Sequence, residues 1–310
     1  MWALNVSVVI PTLNEGNTVG EVIKGFQRMG YNDILVIDGN STDNTEAVCR
    51  QCDVAFVVQE GRGKGNAVIQ AFSLVKGDIV ALIDGDMTYL PDELPKLLLP
   101  IQEGKAEHVI GNRFSPQMEK GAMTRFNVIG NKILNKMFGM FYGQFFSDIL
   151  TGYRVITMDA IGRMNINSTY FGIECELMAE SMRNNIRTVE VPLTYLKRKP
   201  GSHTKLSPMK DGLNIGFTIF KLTKLHNPFY FFGIIGFLLI LLGLGFGVIV
   251  LRPYILTGKV TRIPLAIFTT LILLLGFQVL LIGILADLTI MLHKDLTNKI
   301  RKLEGKIGGK

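Results

Sequence analysis

Ile79-Val80-Ala81-Leu82-Ile83-Asp84-Gly85-Asp86 is an apolar run that ends in two carboxylates with one glycine between them. A short run rich in Ile and Val reads as a strand buried on both faces of a parallel sheet. Ligands of open α/β sheets sit beyond the carboxyl ends of such strands, so Asp84 and Asp86 are expected at the functional edge. Two close carboxylates repel each other and attract a cation. Hard oxygen ligands suit Mg2+ or Mn2+, with substrate phosphates completing the shell. The stretch therefore points to a metal–diphosphate site. Taken by itself, Asp-x-Asp also describes an ordinary acidic turn after a strand.

Around this run, residues 6–114 alternate between short apolar runs and helix-like segments. The expected strands are Val6–Pro11, Ile34–Asp38, Ala55–Gln59, Ile79–Asp84 and His108–Arg113. The expected helices are Asn17–Arg28, Thr42–Gln51, Lys64–Val75 and Pro91–Glu103. This βαβα order predicts an α/β fold, a mainly parallel sheet flanked by helices. Residues 115–200 are less regular. Helices are expected over Met123–Phe141, whose Phe126, Ile129, Ile133, Leu134, Met137 and Phe138 form a broad apolar face, and over Glu174–Asn184. A strand is expected over Thr188–Leu196.

The chain has 310 residues, and 48% of them are hydrophobic, with the excess at the C-terminal end. Phe229–Leu251 and Ile263–Ala286 carry no charged residue. About 20 such residues let a helix cross a bilayer core, so a two-helix transmembrane hairpin is expected. Residues 205–228 mix Lys with Leu206, Leu213, Ile215, Phe217, Ile219, Phe220, Leu222 and Leu225. They read as interfacial amphipathic helices leading into the membrane, though the same pattern fits helices packed on the preceding domain. The connector carries Arg252, Lys259 and Arg262, but the larger basic excess lies outside the hairpin. Both the N-terminal domain and the tail are therefore expected on the cytoplasmic side of a cell membrane. No secretory signal is read ahead of the first strand. The resulting division is 1–204 a cytoplasmic α/β domain, 205–228 juxtamembrane, 229–251 and 263–286 membrane-spanning, and 287–310 a basic cytoplasmic tail. Gly305–Lys310 is expected to be disordered.

The formal net charge is +7. With the late basic residues flanking membrane spans, an anionic lipid surface explains the excess better than a nucleic acid does. There are three cysteines. Cys49-x-x-Cys52 lacks the further ligands of a zinc site and reads as structural.

Each strand end carries a polar signal. Pro11-Thr12-Leu13-Asn14-Glu15 follows the first strand, with Glu15 suited to accept from a ribose or base. Asp38-Gly39-Asn40-Ser41-Thr42-Asp43 follows the second, with Asp38 suited to a base N–H. Gly61-Arg62-Gly63-Lys64-Gly65-Asn66-Ala67 follows the third. It lacks the spacing of a phosphate-binding P-loop but is a basic turn opening a helix, which suits an anion.

With Gly111-Asn112-Arg113-Phe114, Asp148-Ile149-Leu150-Thr151-Gly152-Tyr153-Arg154 and Arg198-Lys199-Pro200-Gly201-Ser202-His203-Thr204-Lys205-Leu206 added, the chain resembles the family 2 glycosyltransferases of GT-A fold. More closely, it is similar to the membrane-attached polyprenyl-phosphate group that contains dolichyl-phosphate mannose and glucose synthases. The resemblance covers residues 5–212. It implies a nucleotide-sugar site of Pro11, Leu13, Glu15, Asp38, Lys64, Asp84 and Arg113. It implies a metal held by Asp84, Asp86 and Thr88, and a lipid phosphate met by Arg125, Arg198 and Lys205. Catalytic roles fall on Asp84, Asp86, Asp148 and Arg198, with Asp148 either orienting a substrate or serving the structure. There are departures from the pattern. Thr88 stands where mannose synthases often carry a metal-binding Gln, Ile37 where many relatives have a second Asp, and Asn112 where Ser is common.

The implied reaction is inverting, metal-dependent transfer of one sugar from a nucleotide-sugar to a polyprenyl or dolichyl phosphate. A UDP-sugar is favoured and GDP-mannose is the alternative. The implied partners are that donor, that lipid and the bilayer, with no nucleic acid and with room for a homo-oligomer. A processive polysaccharide synthase would carry Gln-x-x-Arg-Trp, and the single tryptophan is Trp2. A catalytically silent nucleotide-binding membrane scaffold would not need Asp84, Asp86, Arg198 and Lys205 together.

Overall fold

The computed structural model describes residues 5–167, 172–199, 208–259 and 262–307. The chain divides into two compact units, Met1–Ile219 and Phe220–Lys310.

The first unit is built on a seven-stranded sheet in the order β3-β2-β1-β4-β6-β5-β7. The strands are β1 (Val6–Thr12), β2 (Ile34–Asp38), β3 (Ala55–Val58), β4 (Ile79–Leu82), β5 (His108–Asn112), β6 (Arg154–Thr157) and β7 (Thr188–Pro192). The first four pair in parallel, as does β5 with β7. Only β6 runs antiparallel, against β4 on one side and β5 on the other.

Alternation along the strands sorts the core onto the two faces, as the period-2 geometry of a strand requires. Val8 and Ile10 of β1 and Ile79 and Ala81 of β4 pack with α1 (Val19–Arg28) and α4 (Leu94–Gln102). Their neighbours Val9, Val80 and Leu82 pack on the other face with α3 (Lys64–Leu74), α6 (Met158–Arg163) and α7 (Ile173–Arg183). Both faces are covered, so the central strands contain no outward polar row. This unit also contains α2 (Thr45–Gln51) and α5 (Arg125–Tyr142).

The structure departs from the sequence expectation in several places. β6 and α6 were not anticipated. β6 has four residues, too few to show a period. The last strand stops at Pro192 rather than Leu196, because proline has no N–H to extend the ladder. α5 forms on the predicted residues, with Thr124 accepting from the Asn127 amide at 3.2 Å as its cap. Its apolar face is not core, however. Phe126, Ile129, Ile133 and Met140 are all exposed, and only Asn135, Phe138 and Gly139 are buried.

One helix, α8 (Pro208–His226), stands where several interfacial helices were expected. The second unit contains α9 (Pro228–Thr257) and α10 (Ile263–Ile307). Residues 228–257 and 263–292 are long and apolar enough to cross a membrane. α9 runs beyond the predicted end of its span and stops at Gly258, whose φ of 69° is the left-handed conformation that favours glycine. α10 continues to Ile307, where a disordered tail was expected from Gly305. No proline or glycine interrupts Asp287–Glu304, so nothing in the backbone stops the helix at the end of its apolar part.

Candidate active site

The topology brings one end of nearly every strand to a single edge. The parallel strands end there, and the antiparallel β6 begins there with Arg154. The β4–β6 register sets Arg154 beside Leu82, two residues before Asp84.

Asp84 and Asp86 both face cations supplied by the chain. The Lys64 Nζ, from the first residue of α3, lies 2.5 Å from Asp84 Oδ1 and 2.7 Å from Glu174 Oε1. Burial opposes ionisation of Asp84. The Lys64 ammonium, with Arg198 and Arg113 beyond it, outweighs that and holds the carboxyl below its usual range. Burial likewise works against the Lys64 charge, and Asp84 and Glu174 reverse it, so this amine titrates above its ordinary value. Gly152 lies so close that a Cβ there would sit 2.1 Å from Asp84 Oδ2. Only glycine leaves room for this carboxylate.

Asp86 is 3% exposed. Its Oδ2 meets the Arg198 Nη2 at 2.7 Å. Its Oδ1 accepts from the Thr88 hydroxyl at 2.6 Å and from the Thr88 amide at 3.1 Å. Thr88, expected as a metal ligand, here holds Asp86 in orientation. Arg198 reaches Asp86 because the chain after β7 runs back over the sheet edge. Tyr195 bridges to Tyr89, and the Leu196 amide donates to the Thr88 carbonyl at 2.9 Å.

Asp38 is buried at the end of β2. The β1–β2 register sets Thr12 beside it, and the Thr12 hydroxyl donates to Oδ1 at 2.9 Å. The Ser41 hydroxyl and amide donate to the same carboxylate at 2.6 and 2.7 Å. Glu15 is buried in the loop after β1, with its amide donating to Thr45 Oγ1 at 3.0 Å. Pro11 is half-buried and Leu13 is exposed at the same strand end.

Arg113 and Asp148 form a two-pronged pair. The Arg113 Nε and Nη2 lie 2.6 and 2.7 Å from the two Asp148 oxygens. Burial disfavours the guanidinium charge, but Asp148 more than compensates and raises its titration well above the ordinary range. Asp148 is fully buried behind Arg113. Its amide and that of Ser147 donate to the Glu190 carboxylate at 2.8 and 3.1 Å. The Arg113 guanidinium also lies over the Tyr195 ring, 5.5 Å from its centroid.

Arg154 has no exposure. Its Nη2 donates to the Thr151 carbonyl at 2.6 Å and its Nη1 to the Glu174 carbonyl at 3.2 Å. It thereby ties the loop bearing Asp148 and Gly152 to the start of α7. Arg154, Glu190 and Tyr89 were not assigned to the site from sequence. Glu174 and Glu176, two apart and so not on one helix face, offered one carboxylate toward it, and Glu174 is the one that reaches Lys64. The basic residue ending Thr151-Gly152-Tyr153-Arg154 was a visible signal, whereas the partners of Glu174 and Glu190 depend on tertiary folding. Arg125 stands exposed in the first turn of α5. Lys205 lies outside the described residues.

Among the described residues, no cluster of three or more His, Cys, Asp or Glu side chains gathers as a metal cage. The donor set of Asp84 and Asp86 nonetheless fits a hard divalent cation. Mg2+-type ions are commonly held by one or two carboxylates with phosphate oxygens and water completing the shell. In this structure Lys64 and Arg198 occupy those carboxylates, so a divalent cation would have to share or displace them.

Comparison with known proteins agrees with this geometry. Glycosyltransferase AglJ of Haloferax volcanii is 38% identical over 300 residues, covering 96% of this chain and 98% of the relative. A dolichyl-phosphate hexose transferase of the same organism is 29% identical over 219 residues, covering 70% and 93%. Glucosyl-3-phosphoglycerate synthase from Mycobacterium tuberculosis, crystallised with Mn2+, UDP-glucose and phosphoglyceric acid, superposes with a TM-score of 0.61 at 21% identity. That match covers 71% of this chain and 80% of the other, and it shows a shared GT-A fold. The family described as Glycosyl transferase family 2 matches residues 7–167. The chain belongs to that family and is a glycosyltransferase.

Proposed function

We propose that this glycosyltransferase moves one sugar from a nucleotide-sugar to a polyprenyl or dolichyl phosphate at the cytoplasmic face of a cell membrane, with inversion. One combination carries the reading. Asp84 and Asp86 stand at a sheet edge with Lys64 and Arg198 at 2.5 and 2.7 Å. The same chain carries two helices long and apolar enough to cross a membrane. The exposed Phe126, Ile129, Ile133 and Met140 of α5, with Lys132 and Lys136 on the same helix, suit a lipid–water interface. A relative named as a dolichyl-phosphate hexose transferase supports the acceptor class.

In this reading Asp84 and Asp86, with Thr88 beside them, would hold Mg2+ or Mn2+, which would supply Lewis-acid neutralisation of the leaving diphosphate. Pro11, Leu13, Glu15 and Asp38 line the nucleoside pocket. Arg113 and Arg198 offer forked donors to phosphate oxygens, and Arg125 and Lys205 meet the lipid phosphate. Asp148 acts through Arg113, whose fork it fixes. A lipid phosphate monoester, with a second pKa of about 6, is already anionic near neutrality. It attacks the anomeric carbon without a strong base, so positioning and charge stabilisation supply the catalysis. A UDP-sugar is favoured over GDP-mannose, on the resemblance to two-span polyprenyl-phosphate glycosyltransferases.

A donor screen by thermal shift, followed by NMR of the anomeric proton of the product, tests the reading. Stabilisation by one nucleotide-sugar in the presence of Mn2+, and a product of inverted configuration, are expected. A retained configuration would rule out direct displacement by the lipid phosphate.

A further inference from the structure

Glu174 belongs to none of the metal, nucleotide or lipid-phosphate sets, yet it shares the Lys64 ammonium with Asp84. The separations are 2.7 and 2.5 Å. It occupies the first turn of α7, where the helix dipole favours a carboxylate. Its backbone carbonyl is fixed by Arg154 at 3.2 Å. Its side chain is 12% exposed and that of Lys64 is 17% exposed, so neither group is free to drift into solvent.

A divalent cation on Asp84 would compete directly with the Lys64 ammonium. Two positive centres sharing one carboxylate repel strongly in a partly buried site. A second anion within reach of Lys64 relieves that conflict, because the ammonium can lean onto it while staying in the pocket. We propose that Glu174 is a positioning residue that retains Lys64 when a divalent cation takes Asp84, keeping the ammonium at hand for the donor diphosphate. The inference rests on the metal-dependent reading above. Glu174 touches no substrate; it acts through Lys64.

The test is Mn2+ binding to the full chain in detergent, read as free Mn2+ by electron paramagnetic resonance without any turnover. Four proteins form a cycle: wild type, Glu174→Gln, Lys64→Met and the double variant. With a neutral residue at 174, Lys64 stays committed to Asp84, and the Mn2+ dissociation constant is expected to rise about tenfold. In the Lys64→Met background the competitor is gone, and the same change should alter it by less than about twofold. Glu174→Asp, which keeps the charge, should stay within about threefold of wild type and guards against a folding defect in the glutamine variant. An equal loss in both backgrounds would mean that Glu174 acts on the metal directly and would overturn the proposal. So would an unchanged constant in Glu174→Gln. Absence of Mn2+ binding by the wild type would overturn the metal-dependent reading and this inference with it.

Discussion

The Arg198 guanidinium lies 2.7 Å from Asp86, although the two residues are separated by three strands' worth of chain. The contact exists because the segment after β7 is strapped onto the β4 loop by Tyr195 and Leu196. In the proposed reaction Arg198 would exchange this carboxylate partner for a phosphate. Replacing it with Ala should lower kcat about a hundredfold, the usual scale for losing a preorganised charge-stabilising donor. Arg198→Lys should recover only part of this, since an ammonium lacks the planar fork. Steady-state kinetics on both variants check the ordering.

Gly152 is the tightest steric point of the site. A methyl group there would sit 2.1 Å from Asp84 Oδ2. Gly152→Ala should displace Asp84 and its Lys64 partner, costing about 1–3 kcal/mol of stability as an overpacking change. Activity should fall as well. Thermal denaturation and turnover, measured on the same preparation, test both parts.

The Arg113–Asp148 pair is asymmetric in exposure, with Asp148 fully buried and the Arg113 side chain 11% exposed. Removing the acid alone leaves a largely buried guanidinium without its counter-charge. Asp148→Ala is expected to destabilise the first unit by about 3–5 kcal/mol. Asp148→Asn should cost less, because an amide oxygen still accepts some of the three bonds that Arg113 donates from its Nε, Nη2 and backbone amide. Chemical denaturation of the variants distinguishes this from a purely catalytic role, which would leave stability unchanged.

The Lys64–Asp84 pair sets a pH window. Asp84 titrates below its ordinary 3.8 in the folded chain, so its contribution is present above 3.8 and is lost as pH falls through the lower folded value. Lys64 titrates above its ordinary 10.5, so its contribution is present below 10.5 and is lost as pH rises through the higher folded value. The stability difference between wild type and Lys64→Met should therefore be flat from about pH 5 to 9 and shrink in stronger acid. A difference that changes across neutrality would contradict this assignment.

Much of this was legible in the sequence for physical reasons. The run ending in Asp84 and Asp86 has no polar residue to offer a solvent face, so it could be placed as a central strand with its carboxylates just beyond the strand end. The uncharged stretches of α9 and α10 were readable from length alone. Other features were not. β6 is too short to show a period, yet it brings Arg154 to the site edge. The pattern of α5 gave its apolar face but not what covers it, because core and bilayer demand the same spacing. Thr88 entered the metal set through the resemblance, whereas its hydrogen bonds to Asp86 depend on a turn geometry that no local pattern displays. Glu174 meets Lys64 only because α7 packs beside α3, a tertiary fact that no local pattern encodes.

The central claim is single-sugar transfer onto a lipid phosphate, and mass spectrometry of the lipid product tests it most directly. Purified full-length protein would be given Mn2+, a panel of UDP- and GDP-sugars, and polyprenyl phosphate beside the matching polyprenyl alcohol. The expected result is one added sugar on the phosphate, none on the alcohol, and none with an Asp86→Ala protein that retains its fold. Absence of transfer from every donor, a polymer of added sugars, or full activity in Asp86→Ala would contradict the account.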